Sequence, residues 1–192
     1  MEHLLFDYLA KYMPLTDEEK EVITDLDLFR EVKKGTILLE EGQRSKLGYF
    51  VLKGCIRKFY IIDGEEKTTN FYTELQGETP ECVLNNSPSA YYLSVVEDSI
   101  ISASTPDAEE DVFAKFPRFE TLCRIISEDL LTKSQTSFDD FKNSSPAQRY
   151  ENLLASRPDL IQRVPQHQLA SFLGITPQSL SRLKARIVKT KK

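Results

Sequence analysis

The chain has 192 residues, 40% of them hydrophobic, with no tryptophan and a formal net charge of −5. That length supports one sizeable core or two smaller ones. No run approaches the roughly 20 apolar residues of a membrane span, and the amino terminus lacks the basic-then-apolar pattern of a secretory signal, so a cytoplasmic location and no membrane partner are expected. Three widely spaced cysteines, Cys55, Cys82 and Cys123, and two histidines, His3 and His167, form no C-x-x-C pair and no cluster of soft ligands. Reduced structural cysteines, no metal, no cofactor and no catalytic His are the reading.

Residues 1–28 read as two helices. Leu4, Leu5, Tyr8, Leu9 and Tyr12 form the stripe of the first, and Pro14 breaks it. Thr16 caps the second, with Glu19 at the capping-box position and Val22, Ile23 and Leu26 as its apolar face. From Phe29 the pattern changes to short strands punctuated by glycine: 28–32, 36–39, 48–52, 55–62, 67–72, 91–96 and 100–104. Asp63-Gly64 is the best hairpin turn among them. Regular short strands imply an antiparallel barrel or sandwich rather than a doubly wound sheet.

Residues 107–116 read as a short acidic helix closed by Pro117. A long helical pattern follows over 117–142, with Phe119, Leu122, Ile126, Leu130, Phe138 and Phe141 at three- and four-residue steps and a polar interruption at Ser134. That stripe either packs on the chain's own barrel or forms a two-helix dimer seam. Asn143-Ser144-Ser145-Pro146 marks a boundary: Ser145 as cap, Pro146 at the first helical position and Gln148 as box partner open a helix carrying Tyr150, Leu153 and Leu154, which ends at Pro158-Asp159.

The stretch from Gln166 to Lys184 reads as a helix-turn-helix. Ala170 is small where two helices nearly touch, Gly174 lies four residues later where a helix ends in a left-handed residue, and Leu180 and Leu183 bury the second helix. Thr176 is its N-cap and Pro177 its first helical residue. Gln178, Ser179, Ser181, Arg182 and Lys184 then fall on or near the outer face, where Gln, Ser and Arg can hydrogen-bond base edges and Lys can take phosphate. Charge agrees: residues 144–192 hold nine Lys and Arg against two acids, a net +7, whereas residues 1–143 hold sixteen against twenty-eight, a net −12. An acidic body with a basic tail is the footprint of a nucleic-acid-binding unit.

In this order the motifs resemble the Crp/Fnr superfamily (cyclic-AMP receptor protein and fumarate–nitrate regulator) over almost the full length. The residues that carry the resemblance are Lys34-Gly35-Thr36-Ile37-Leu38, Glu41-Gly42, Gly48-Tyr49-Phe50-Val51-Leu52-Lys53-Gly54, Asp63-Gly64-Glu65, Val96-Glu97-Asp98-Ser99, and the run from Leu169 to Arg182. It implies an α+β fold: a cyclic-nucleotide-binding-like jelly-roll β-barrel with flanking helices over 1–116, a dimerisation helix over 117–142, and a helix-turn-helix DNA-binding domain over 143–192. The implied function is a homodimeric transcription regulator, not an enzyme, with double-stranded DNA and RNA polymerase as partners and a small-molecule effector in the barrel. Thr176, Gln178, Ser179, Ser181, Arg182, Lys184 and Arg186 are the expected DNA-binding residues, with Arg182 foremost in base readout and Lys184 and Arg186 on phosphate.

Two features depart from that family. Cyclic-nucleotide-binding members carry Gly-Glu, a short helix, then Arg-Ser/Thr-Ala, the arginine neutralising the cyclic phosphate. Here the segment runs from Gly77-Glu78 to Tyr91, the arginine position falls on Ser89 beside Ala90, and no basic residue lies between Lys67 and Lys115. A phosphate would meet Glu74, Glu78 and Glu81, so cyclic AMP is not expected to bind. The barrel then either holds a less anionic ligand, lined by Phe71, Tyr72, Gly77, Glu78, Glu81, Cys82, Ser89, Ala90, Tyr91 and Tyr92, or is a structural relic, and the sequence does not choose between the two. After the recognition helix only Val188 to Lys192 remain, too few for both strands of a wing; Lys189, Lys191 and Lys192 would form a basic tail. The competing reading is a ligand-sensing module whose terminal helices bind protein, which salt dependence separates from DNA binding.

Overall fold

The computed structural model describes residues 2–25, 28–106 and 113–190, with side chains placed from 4 to 187 within those ranges. Leu26, the segment 107–112 of the expected acidic helix, and the tail residues Lys191 and Lys192 lie outside the described residues, as does the Lys189 side chain. By packing, the chain divides into two units: Met1–Arg57 with Phe71–Thr132, and Lys58–Asn70 with Lys133–Lys192.

The first unit opens with α1 (Glu2–Leu9) and α2 (Asp17–Asp25). The expected capping box forms: the Glu19 amide donates to Thr16 Oγ1 at 3.2 Å, and the Thr16 amide donates to Glu19 Oε2 at 2.7 Å. Glu19 is buried, and Arg118 pairs with its carboxylate at 2.9 Å. Removing Arg118 would leave the Glu19 charge away from water without its partner.

Among the described residues eight strands follow: β1 (Phe29–Val32), β2 (Ile37–Leu39), β3 (Gly48–Lys53), β4 (Ile56–Ile62), β5 (Glu65–Tyr72), β6 (Gln76–Glu78), β7 (Tyr92–Val95) and β8 (Ser99–Ser104). They make two four-stranded sheets, in the orders β1-β8-β3-β6 and β2-β7-β4-β5. The recorded pairings β1–β8, β3–β8, β3–β6 and β2–β7 are all antiparallel. The core is the alternating set expected of sheets with one buried face: Leu39, Val51, Ile56, Phe59, Phe71, Leu93, Val95 and Ile101. Asp63 and Gly64 join β4 to β5 with φ of 53° and 77°, the pair of positive angles that a tight hairpin requires.

β6 had no counterpart in the sequence reading. It is three residues long, lacks β-branched side chains, and exists because β3 offers it an edge. Gly77 lies where any Cβ would come within 2.7 Å of the Tyr49 carbonyl. A short helix, α3 (Glu81–Asn85), then fills the cassette and stops at Asn86, which turns left-handed with φ 49°.

The long helix α4 (Pro117–Asn143) is continuous through Ser134. Its stripe divides. Phe119 and Leu122 are buried, Ile126 and Leu130 are half-buried, and Leu131 and Phe138 are 59% and 60% exposed. Tyr12 donates a hydrogen bond to Asp129 at 2.6 Å, which, with Tyr8 packed edge-on, holds its phenol well above the usual range.

The second unit takes in most of the β4–β5 hairpin, the end of α4 from Lys133, and the helices α5 (Pro146–Ser156), α6 (Pro158–Arg163), α7 (Gln166–Phe172) and α8 (Pro177–Thr190). Ser145 caps α5 with both bonds of the capping box present. Tyr150, Leu153, Leu160, Val164, Leu169, Ala170, Leu173 and Leu180 are its buried core. Among the described residues no strand follows α8, and no helix is long and apolar enough to cross a membrane.

Candidate nucleic-acid interface

The α7–turn–α8 unit begins with packing. Leu169, Ala170 and Leu180 are completely buried, so the small side chain at 170 lets the two helices approach across the turn. Gly174 takes φ +71°, a conformation that costs an L-residue about 1–2 kcal/mol. The Ile175 amide then bonds back to the Ala170 carbonyl at 3.0 Å, which closes the end of α7.

Thr176 caps α8, its Oγ1 accepting from the Ser179 amide at 3.2 Å. That hydroxyl donates to Ser179 Oγ at 3.0 Å, and Arg182 Nη2 reaches the same Ser179 oxygen at 3.3 Å. Residues 176, 179 and 182 are spaced by three, so they share one face of the helix. Of the seven residues expected to meet DNA, Thr176, Gln178, Ser181, Arg182 and Arg186 are exposed, and Ser179 and Lys184 are half-buried. The lysine stem can cover apolar surface while its ammonium stays in water.

Two residues of this unit escaped the sequence reading. Ser171, on α7, accepts from the Thr68 amide of β5 at 2.9 Å and donates to the Glu66 carbonyl at 3.0 Å. One hydroxyl thus bridges two backbone groups of a strand 103 and 105 residues away. Arg149, on α5, donates from Nε to the Ser144 carbonyl at 3.1 Å and from Nη1 to the Leu173 carbonyl at 3.0 Å, with its guanidinium 3.8 Å from the centre of the Phe141 ring. No periodicity flags either residue, because their partners lie outside the three- and four-residue spacing that a sequence reveals.

The residues expected around a barrel ligand differ in burial. Phe71, Tyr72, Cys82, Ser89 and Tyr91 are buried, Gly77 and Glu78 half-buried, and Glu81 and Ala90 exposed. Tyr92 is half-buried on β7. Half-buried Glu78 links two of the buried residues: Tyr72 donates to Oε2 at 2.5 Å and Tyr91 to Oε1 at 2.8 Å. Burial, then the adjacent Glu78 charge, raises the Tyr91 phenol far above its ordinary value, so it remains a donor at all ordinary pH. Ser89, at the arginine position, turns inward, its hydroxyl donating to the Tyr91 carbonyl at 2.8 Å. Its backbone is also engaged, to Gly42 and Gln43 at 2.8 Å each. Glu74 does not join this cluster; it accepts from the Gly54 amide at 2.9 Å.

Comparison with known proteins finds no matching family model and no matching curated protein. Solved structures do match. A CooA variant from Carboxydothermus hydrogenoformans aligns with TM-score 0.67 at 20% identity, covering 87% of this chain and 79% of that one. The c-di-GMP-responsive global regulator CLP of Xanthomonas campestris gives 0.66 at 13%, covering 88% and 91%. FixK2 from Bradyrhizobium japonicum gives 0.64 at 14%, covering 85% of each chain. The fold is that of the Crp/Fnr regulators. Of these three, CLP is described as a global regulator that links cell-cell signalling to virulence gene expression.

Proposed function

We propose that the chain is a homodimeric, sequence-specific DNA-binding transcription regulator in which α8 reads the major groove and α4 supplies the dimer contact. The observation that carries this reading is the linked row Thr176, Ser179 and Arg182, with Thr176 and Arg182 exposed, on a capped helix anchored by the completely buried Leu180. Gln178 and Ser181 flank that row, with Lys184 and Arg186 placed for phosphate. Leu131 and Phe138 lie seven residues apart, the spacing of one side of a two-helix seam. The +7 charge of residues 144–192 suits a polyanion. Domains at 1–116, 117–142 and 143–192, and RNA polymerase as a downstream partner, belong to the same reading.

Selection of bound fragments from random DNA, with and without a metabolite pool, tests it. Enriched half-sites about one DNA turn apart are the expected result, with affinity falling steeply as salt rises. Binding to a protein partner that is insensitive to salt, with no enriched DNA, would overturn it.

The sensor in this reading does not answer to cyclic AMP. Glu78, the acid that would hold a ribose hydroxyl, already has a phenol on each oxygen, and Ser89 supplies no charge for a phosphate. Leaving a desolvated phosphate without a cation costs several kcal/mol. Calorimetry with cyclic AMP and cyclic GMP should give no heat of binding; a micromolar Kd would refute this.

A further inference from the structure

We propose that Arg149 is a positioning residue, a clamp that fixes the angle between the end of α4 and the DNA-reading helix α8; the proposal rests on the DNA-binding reading above. Three groups converge on its guanidinium. The Phe141 ring, in the last turn of α4, stacks on one side at 3.8 Å from ring centre to guanidinium carbon. Gly174, in the turn before α8, lies close by: a Cβ there would be 3.2 Å from Arg149 Nη1 and 3.8 Å from the tip of Phe141. In the plane of the fork, Nε holds the Ser144 carbonyl, between α4 and α5, and Nη1 holds the Leu173 carbonyl at the end of α7.

Each contact belongs to a different part of the second unit: the end of α4, the Ser144 hinge, and the α7–α8 turn. A planar cation with divergent donors can satisfy two carbonyls while stacking on a ring, and a lysine ammonium cannot. The Phe141 ring that the sequence assigned to the long apolar stripe is therefore engaged by its own chain.

The consequence for DNA is a matter of leverage. Arg182 lies about 7.5 Å along α8 from Pro177, so a tilt of about 15° at the hinge moves it by about 2 Å, over half the base step of about 3.4 Å, and moves the far end of the helix by about 5 Å. In a dimer that error appears as half-site spacing, whereas base-reading residues set half-site identity.

The experiment uses the full chain and compares wild type with Arg149→Lys, Arg149→Gln, Phe141→Leu and Phe141→Tyr. Binding is measured on the selected half-sites separated by a series of spacer lengths. Spin labels at Asp140→Cys and Ala185→Cys in a Cys123→Ser background, diluted with unlabelled chain, report the α4–α8 distance without DNA. Arg149→Lys and Phe141→Leu should bind about tenfold more weakly at the best spacer, with a flattened spacer profile and a broadened distance distribution. Phe141→Tyr keeps the ring face and should match wild type. Should Arg149→Gln fail to fold, Arg149→Lys and Phe141→Leu still decide the matter. An unchanged spacer profile and a narrow distance in Arg149→Lys would overturn the clamp. Absence of any DNA binding by wild type would overturn the function proposed above, while the distance measurement would still decide whether Arg149 sets the angle.

Discussion

Gly174→Ala is the substitution whose cost can be worked most directly from this structure. Two terms contribute. The backbone at φ +71° costs an alanine about 1–2 kcal/mol, since its Cβ crowds the following carbonyl. The new methyl would also lie 3.2 Å from Arg149 Nη1, so the guanidinium must retreat by a few tenths of an ångström and loosen its 3.0 Å bond to the Leu173 carbonyl. Weakening a bond to a charged donor adds about 0.5–1.5 kcal/mol. Together these give about 1.5–3.5 kcal/mol, which for a chain of this size is a fall in Tm of about 3–14 °C. Urea unfolding followed by circular dichroism measures it. Gly174→Asn separates the terms, because asparagine tolerates the left-handed region yet carries the same Cβ, and it should recover roughly half the loss. Gly174→Ala made in the Arg149→Gln background isolates the contact term by a double-mutant cycle. Wild-type stability in Gly174→Ala, or an asparagine variant no better than alanine, would refute the reasoning.

Other consequences are equally specific. Arg182→Ala should cost about 1–3 kcal/mol at one base position of the operator, while Lys184→Ala should weaken all sequences alike and lower the salt slope by about one; equal weakening by both would count against direct readout. Leu131→Glu or Phe138→Glu should shift the chain to monomer in sedimentation, since each substitution acts twice in a symmetric dimer and removes about 3–6 kcal/mol of apolar burial; an unaltered dimer would place the seam elsewhere. Asp98 accepts from the Lys34 amide and from Lys33 Nζ, both at 2.9 Å, and these partners hold its carboxyl below the ordinary aspartate range. Its contribution to stability is therefore complete above the ordinary aspartate value and is lost as pH falls through the lower folded one. Urea midpoints taken between about pH 5 and pH 2 should show part of the acid limb vanish in Asp98→Asn, and an unchanged limb would refute the assignment.

The elements most legible in the sequence are those with local causes. Thr16 with Glu19, Ser145 with Gln148, and Thr176 with Pro177 each write a helix start within four residues, and all three caps form. Asp63-Gly64 writes its hairpin for the same reason. The terminal helix pair was readable because Ala170, Gly174 and Leu180 each meet a steric demand that few other residues can. The exposed face of α8 then followed from helical period alone.

What tertiary structure decided lies wherever distant segments meet. The cassette sequence says that a phosphate-binding arginine is missing, but only the fold brings Tyr72 and Tyr91 to opposite oxygens of Glu78 and removes Glu74 to the Gly54 turn. The long helix looked like one stripe; packing buries Phe119 and Leu122, turns Phe141 onto Arg149, and leaves Leu131 and Phe138 exposed. Ser171 and Arg149 are unremarkable in the sequence because hydrogen bonds across 103 and 24 residues leave no period to read. Local sterics and capping act over one turn of chain and so are written in the sequence; which polar groups face each other depends on how sheets and helices close.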